Sequence, residues 1–187
     1  MDWKVELSKY EAQFGYHLEI DWSSPISIIK NTLSENNSAE AYVRSIYFLH
    51  NVLVEERYTE SEGIYIQELL KKTFNESREK FSNDSEYLFF IGLILHIAEW
   101  YFGLEEDDKP KLEQLAIKMQ KKAFEIEPTN ILYEWAYLFS IADEKTSSQL
   151  AKQILSCNGN MVDWLSLRGF PGTYVLDRLK SPASRVR

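Results

Sequence analysis

The sequence contains little glycine, proline or cysteine, and each shortage excludes a class of structure. Seven glycines and five prolines among 187 residues argue against a loop-rich β architecture and against disorder. A single cysteine, Cys157, excludes an internal disulfide and a cysteine-based zinc cluster, and a reducing compartment is therefore expected. The first twenty residues show no basic start followed by an apolar stretch, so we predict no secretory signal and a cytoplasmic location.

The local motifs of familiar enzyme classes are also missing. The sequence contains no GxSxG, GxxxxGK[ST], GxGxxG or HExxH pattern. Cys157 could act as a nucleophile with His17, His50 or His96, but no local feature activates the thiol, and a passive cysteine is the preferred interpretation. We therefore predict a binding protein, with no enzymatic activity and no cofactor.

Apolar residues recur at helical spacing along the whole chain, and no strand-like alternation interrupts them. Capping signals divide the chain into about nine or ten helices. Thr59 with Glu62 has the spacing of a capping box, and further helix starts are predicted at Ser24-Pro25, Asn83–Glu86, Pro110 and Thr146–Gln149. Connections this short predict antiparallel hairpins that bury their apolar faces by stacking.

These patterns predict an all-α fold, an irregular bundle or solenoid of stacked hairpins. We expect a single domain over residues 1–187, with a short flexible tail from about residue 181. The aromatic side chains near the middle of the sequence are interpreted as core, with a ligand pocket as the alternative; they are Tyr87, Phe89, Phe90, Trp100, Tyr101 and Phe102.

The most apolar segment runs from Tyr87 to Leu104 and reaches the length of about 18 residues at which a membrane span becomes possible. A span would place His96 and Glu99 in hydrocarbon, at a cost of about 2.5 to 3.5 kcal/mol for an acidic residue. We therefore predict one buried central helix up to Gly103. His96 and Glu99 would share a face of that helix at the spacing of helical metal sites, but a buried polar pair is the preferred interpretation.

Acidic residues are concentrated in the first part of the chain. Residues 1–108 contain 21 acidic and nine basic side chains, whereas residues 109–187 contain eight acidic and twelve basic ones. Such a distribution repels nucleic acid and attracts a basic protein, although solubility alone is the alternative explanation. The expected partner-binding residues are the acidic clusters at helix ends and loops, where side chains are exposed: Glu55, Glu56, Glu60, Glu62, Glu105, Glu106, Asp107 and Asp108.

The segment 116–130 resembles the second helix of a tetratricopeptide repeat. Ala116 and Ala123 lie seven apart and Pro128 follows five later, as in that family, and Gly92 stands where the first helix has its small residue. Gly92 and Ala116 are 24 residues apart, about twice the family's spacing. This resemblance implies an adaptor that binds a peptide in the concave face of stacked hairpins.

In size, acidity and helical pattern the chain is also similar in type to the all-helical immunity proteins of bacterial toxin–immunity pairs, including those of contact-dependent growth inhibition. This similarity implies a small cytoplasmic protein that binds a toxin, often a basic nuclease, and occludes its active site. The first functional hypothesis is therefore an immunity protein, and the alternative is the peptide-binding adaptor.

Overall fold

A computed structural model describes residues 2–16, 19–106, 108–156 and 160–181. These residues form α-helices and two short 3₁₀ helices, with no β-strand among them, and the predicted all-α fold is confirmed. The ten described α-helices are α1 (Trp3–Glu11), α2 (Ser23–Glu35), α3 (Ala39–Glu55), α4 (Glu60–Lys80), α5 (Ser85–Ile94), α6 (Leu115–Ile126), α7 (Ile131–Ser140), α8 (Glu144–Ser156), α9 (Asn160–Ser166) and α10 (Phe170–Lys180). The 3₁₀ helices are Glu99–Phe102 and Lys111–Glu113.

Each odd-numbered helix packs against the helix that follows it, which gives a series of helical hairpins. The hairpins stack because α3 also contacts α5, and α5 contacts α7. The last helix, α10, packs against both α3 and α8. Every described α-helix contributes to one contiguous apolar core, because each has an apolar face that water would otherwise solvate.

The predicted helix starts can be compared directly with the structure. The cap predicted at Ser24 is wrong, because α2 begins at Ser23 and Ser24 lies inside it. The capping box before α4 is confirmed: Thr59 Oγ1 accepts a hydrogen bond from the amide of Glu62 at 3.3 Å, and the Glu62 carboxylate accepts from the amide of Thr59 at 2.8 Å. The cap of α5 is Asp84, whose carboxylate accepts from the amide of Tyr87 at 2.8 Å. The predicted cap, Asn83, is therefore wrong by one residue, since Asp84 satisfies the free amide of the first turn.

Two other predicted starts are wrong by more than one residue. The helix predicted to begin at Pro110 begins at Leu115, because residues 111–113 form a separate 3₁₀ turn. The capping box predicted at Thr146–Gln149 lies inside α8, since the side chain of Asp143 accepts the hydrogen bond from the amide of Thr146 at 3.0 Å. At α8 the side chain of Asp143 satisfies a free amide of the first turn. Before α6 the 3₁₀ turn takes the place of the first helical turn that was expected after Pro110.

The helix predicted from Tyr87 to Gly103 ends instead at Ile94. Beyond this point His50 of α3 donates a hydrogen bond from Nε2 to the carbonyl oxygen of Ile97 at 2.7 Å, and Ala98 adopts a left-handed conformation with φ of 50°. An α-helix cannot continue through a left-handed residue. The chain therefore leaves the helix and crosses to α6 through residues 95–114, which we call the connector; Asp107 lies outside the described residues.

This early end of α5 changes the interpretation of the apolar segment. His96 and Glu99 do not share a helical face, because both lie in the connector. Within the described residues, no helix has both the length and the apolar character needed to cross a membrane.

Helices α3, α5, α7 and α10 have their carboxyl ends at the same end of the stack. The hydroxyl of Tyr47 in α3 donates to the carbonyl oxygen of Phe90 in α5 at 2.7 Å, and its ring lies 5.6 Å from that of Tyr174 in α10. Nε2 of His96, just after α5, lies 2.9 Å from Oγ of Ser140, the last residue of α7. We call this end, which the connector crosses, the connector end.

The hairpin of α5 and α6 accounts for the unusual spacing of Gly92 and Ala116. A Cβ atom at Gly92 would lie 2.5 Å from Nε2 of Gln120 and 3.0 Å from the carbonyl oxygen of Ala116. Gln120 in turn donates to the carbonyl oxygen of Phe89 at 2.7 Å. The small residue is thus needed for the close approach of α6, and the extra residues between the two helices form the connector.

Replacing Gly172 with alanine is expected to lower the free energy of unfolding by about 1 to 3 kcal/mol or more. An added Cβ would lie 1.8 Å from the carbonyl oxygen of Leu165, and a clash with backbone cannot be relieved by side-chain rotation. Urea denaturation followed by circular dichroism measures the change. The exposed neighbour Thr173, replaced by alanine, is the control and should change stability by about 0.5 kcal/mol or less. Equal stabilities of the two variants would contradict the prediction.

Candidate partner-binding surface

The loop between α3 and α4 contacts the connector at the connector end. The hydroxyl of Tyr58 donates to the carbonyl oxygen of Leu53 at 3.1 Å. Burial and the neighbouring hydroxyl of Tyr101 raise the pKa of Tyr58. The ring of Trp100 lies 5.8 Å from that of Tyr101. These contacts place the two segments that carry the predicted acidic clusters next to each other.

The short 3₁₀ helix of the connector directs one aromatic side chain inward and another outward. Phe102 is buried and lies 5.3 Å from the ring of His50. Trp100 is 59% exposed. The helix is bounded by two left-handed residues, Ala98 and Gly103, with φ of 50° and 75°, which fix its orientation. The interpretation of Trp100 as a core residue is therefore wrong, because the segment is not a continuation of α5.

Four of the eight predicted acidic residues are exposed at this end, which agrees with the expectation for them; they are Glu55, Glu60, Glu105 and Asp108. Tyr58, 37% exposed, lies on the chain between the first two. Trp100 lies a few residues before the last two. The exposed carboxylates and the two exposed aromatic side chains therefore lie on the same two segments of the chain.

Glu56 is an exception, and the expectation that it is exposed is wrong. Its side chain is buried, with 8% exposure, and its Oε1 accepts a hydrogen bond from the amide of Gly15 at 2.7 Å. Gly15 has φ of 81°, so the turn after α1 directs its amide at the carboxylate. Glu56 therefore holds the turn after α1 against the end of α3 and is not available to a partner.

Glu62 and Glu106 are partly buried and bind groups within the chain. Glu62 completes the capping box of α4. Glu106 accepts from the amide of Leu115 at 2.5 Å and from Nζ of Lys109 at 2.7 Å, and so caps the start of α6. Asp107, the remaining predicted residue, lies outside the described residues, as do His17 and Cys157.

Both segments have a net negative charge. Residues 55–62 contain four acidic side chains and one basic one, and residues 99–108 contain five acidic side chains and no basic one. A surface that combines an exposed tryptophan with exposed charged groups has the composition of a protein-binding site, in which the aromatic group anchors and the charges orient the partner. We call Tyr58, Trp100 and the four exposed acidic residues the connector-end surface.

A metal site was the alternative considered for His96 and Glu99. Across the described ranges, no group of three or more His, Cys, Asp or Glu side chains is arranged to hold a metal ion. His50 is buried and donates a hydrogen bond to the carbonyl oxygen of Ile97. His50 is thus the buried histidine of this region. His96 instead lines a cavity at the connector end.

No protein-family model matches the sequence, and no curated protein or solved structure is significantly similar to the chain. A functional interpretation therefore depends on the residues of this chain and their arrangement.

Proposed function

We propose that this protein is a binding module that takes a basic protein partner on the connector-end surface. In its most concrete form it is a cytoplasmic immunity protein, which neutralises a basic, nuclease-type toxin by covering the toxin's active site. The observation that supports this proposal is the exposure of Trp100 in one of two acidic segments that are distant in sequence and adjacent in the fold.

The two kinds of residue have different roles in the proposed complex. Exposed carboxylates attract a basic protein over a distance of about 10 Å in dilute salt and so increase the rate of association. Trp100 supplies a large apolar area with few rotatable bonds, and tryptophan is among the residues that contribute most to binding energy when it is buried by a partner. Surface carboxylates alone contribute little affinity.

The alternative function, a peptide-binding adaptor, requires an open apolar groove along the stacked helices. In this protein Tyr47 of α3 contacts Phe170 and Tyr174 of α10, and Phe90 of α5 stacks on Trp164 of α9 at 5.8 Å. The last two helices thus cover the faces of α3 and α5 to which a peptide would bind. This packing favours the connector-end surface as the site of binding.

The test uses the purified protein as bait in extracts of its source cells, with the captured proteins identified by mass spectrometry and their affinities measured. A variant with Glu55→Gln, Glu60→Gln, Glu105→Gln and Asp108→Asn is expected to bind the partner more slowly and with weaker salt dependence. Trp100→Ala is expected to weaken binding by about 30-fold or more, which corresponds to about 2 kcal/mol.

Matched controls come from the opposite end of the stack. Glu35→Gln, Glu79→Gln, Glu125→Gln and Asp163→Asn remove the same number of exposed charges there, and Leu167→Ala removes an exposed apolar side chain. Both controls should bind normally. Equal losses in test and control variants would contradict a specific surface. A captured partner that is not toxic, or whose activity persists in the complex, would contradict the immunity role.

A further inference from the structure

A cavity of about 390 Å³ lies at the connector end, between the connector, α6, α7 and α10. Its apolar wall includes Leu93, Leu104 and Phe139. Its polar side chains include His96, Lys111, Gln114, Ser140, Tyr174 and Arg178. A partly enclosed apolar cavity of this size, with a few polar groups directed into it, has the character of a small-molecule binding site.

Two positively charged side chains line this cavity. Within the described part of the chain, neither Lys111 nor Arg178 has a carboxylate oxygen within 4.0 Å of its side-chain nitrogens. Arg178 is held in place by Tyr174, whose hydroxyl accepts from its Nε at 3.2 Å and whose ring lies 5.1 Å from the guanidinium carbon. The two cations are thus available to a negatively charged group in the cavity.

The same two cations affect the pKa of His96, which also lines the cavity. Desolvation is the largest cause that lowers its pKa, and together with the charges of Lys111 and Arg178 it brings the pKa to about 4. The ring is reachable from the cavity and hydrogen-bonded to Ser140 at 2.9 Å. At neutral pH it is uncharged, and an anion bound nearby would raise its pKa by offsetting the two cations.

Two carboxylates also line the cavity. Glu106 is already bonded to Lys109 and to the amide of Leu115, so its charge is offset locally. Glu99 is half-buried on the wall of the cavity. The attraction of an anion to the cavity therefore depends on Lys111 and Arg178.

We propose that this cavity binds a small organic anion. A carboxylate or phosphate group would lie between Lys111 and Arg178, and an apolar body would lie against Leu93 and Phe139. The proposal is independent of the connector-end surface, because none of the exposed residues of that surface lines the cavity.

The test is a titration of the whole protein with octanoate and with phenyl phosphate, followed by the NMR signals of the His96 ring. Saturable shifts are expected, together with a rise in the pKa of His96. Arg178→Gln and Lys111→Gln should each weaken binding about tenfold or more. Lys121→Gln, an exposed lysine outside the cavity, and Trp100→Ala should leave binding unchanged.

Two further probes separate the headgroup from the apolar body. Octanol and inorganic phosphate should each bind more weakly than octanoate and phenyl phosphate, since each has only one of the two features. Octanol binding as tightly as octanoate, or Arg178→Gln and Lys111→Gln both without effect, would overturn the proposal. The proposal would also be overturned if neither octanoate nor phenyl phosphate gave saturable shifts at concentrations up to about 10 mM. Such a result would mean a binding free energy weaker than about 3 kcal/mol. Circular dichroism of each variant verifies that the fold is retained.

Discussion

Replacing Glu11 with alanine is expected to lower the free energy of unfolding by about 3 to 5 kcal/mol, because the guanidinium of Arg44 would remain buried without its carboxylate. Arg44 in α3 is only 3% exposed. Its Nε and Nη2 donate to the two carboxylate oxygens of Glu11 at 2.7 and 2.6 Å, and Nη2 also donates to Oγ of Ser8 at 2.7 Å. This bidentate pair joins α1 to the rest of the stack.

The neighbouring backbone leaves no space for the guanidinium to move. Gly169, with φ of 63°, lies against Arg44, and a Cβ there would be 2.6 Å from the guanidinium carbon. The ring of Trp3 covers Arg44 at 5.7 Å. Loss of the carboxylate therefore cannot be compensated by exposure of Arg44 to water unless α1 or the start of α10 moves.

Two comparisons make this prediction specific, with urea denaturation as the measurement. Glu125→Ala breaks the exposed pair with Lys121, whose atoms are 3.5 Å apart, and should cost less than about 1 kcal/mol. The double variant Glu11→Leu with Arg44→Met replaces the buried pair with apolar side chains and should be much more stable than Glu11→Ala. Equal costs for Glu11→Ala and Glu125→Ala would show that the buried pair is unimportant.

Lowering the pH from 6.5 to 4 is expected to remove about 3 kcal/mol of stability through His50 alone. Burial lowers the pKa of this side chain from 6.5 to about 4 in the folded protein. In this pH range the unfolded chain binds a proton that the folded protein does not. The contribution of His50 to stability is therefore complete above pH 6.5 and is lost as the pH falls towards 4.

A glutamine at position 50 tests this prediction, because its side-chain amide can donate to the carbonyl oxygen of Ile97 and does not titrate. The free energy of unfolding of both proteins is measured by urea denaturation between pH 7 and pH 4.5. The wild type should lose more stability than His50→Gln over this range. If both proteins lost the same amount of stability over this pH range, the pH dependence could not be assigned to His50. His96 is present in both proteins, so its titration cancels in the comparison.

The helices could be predicted from the sequence where the signal is local. The Thr59–Glu62 capping box depends on side chains within a few residues of the start of α4, and this prediction was confirmed. The end of α5 was not predictable in this way. It coincides with a hydrogen bond from His50, 47 residues earlier in the sequence, to the carbonyl oxygen of Ile97.

The connector-end surface, too, could be predicted from the sequence only in part. Its acidic residues could be identified from the sequence because charge clusters at helix ends are visible there. Three facts depended on tertiary contacts: that Glu56 is buried against Gly15, that Glu106 caps α6, and that Trp100 is exposed.

The sequence by itself determined that the chain forms helices, because apolar periodicity depends on residues close together in the sequence, and its charge distribution is the reason a basic partner is proposed. Only the tertiary structure decided which acidic side chains face solvent and that two distant segments lie next to each other. It also decided that Lys111 and Arg178 line one cavity. Contacts between residues far apart in the sequence set these features, and no local pattern encodes them.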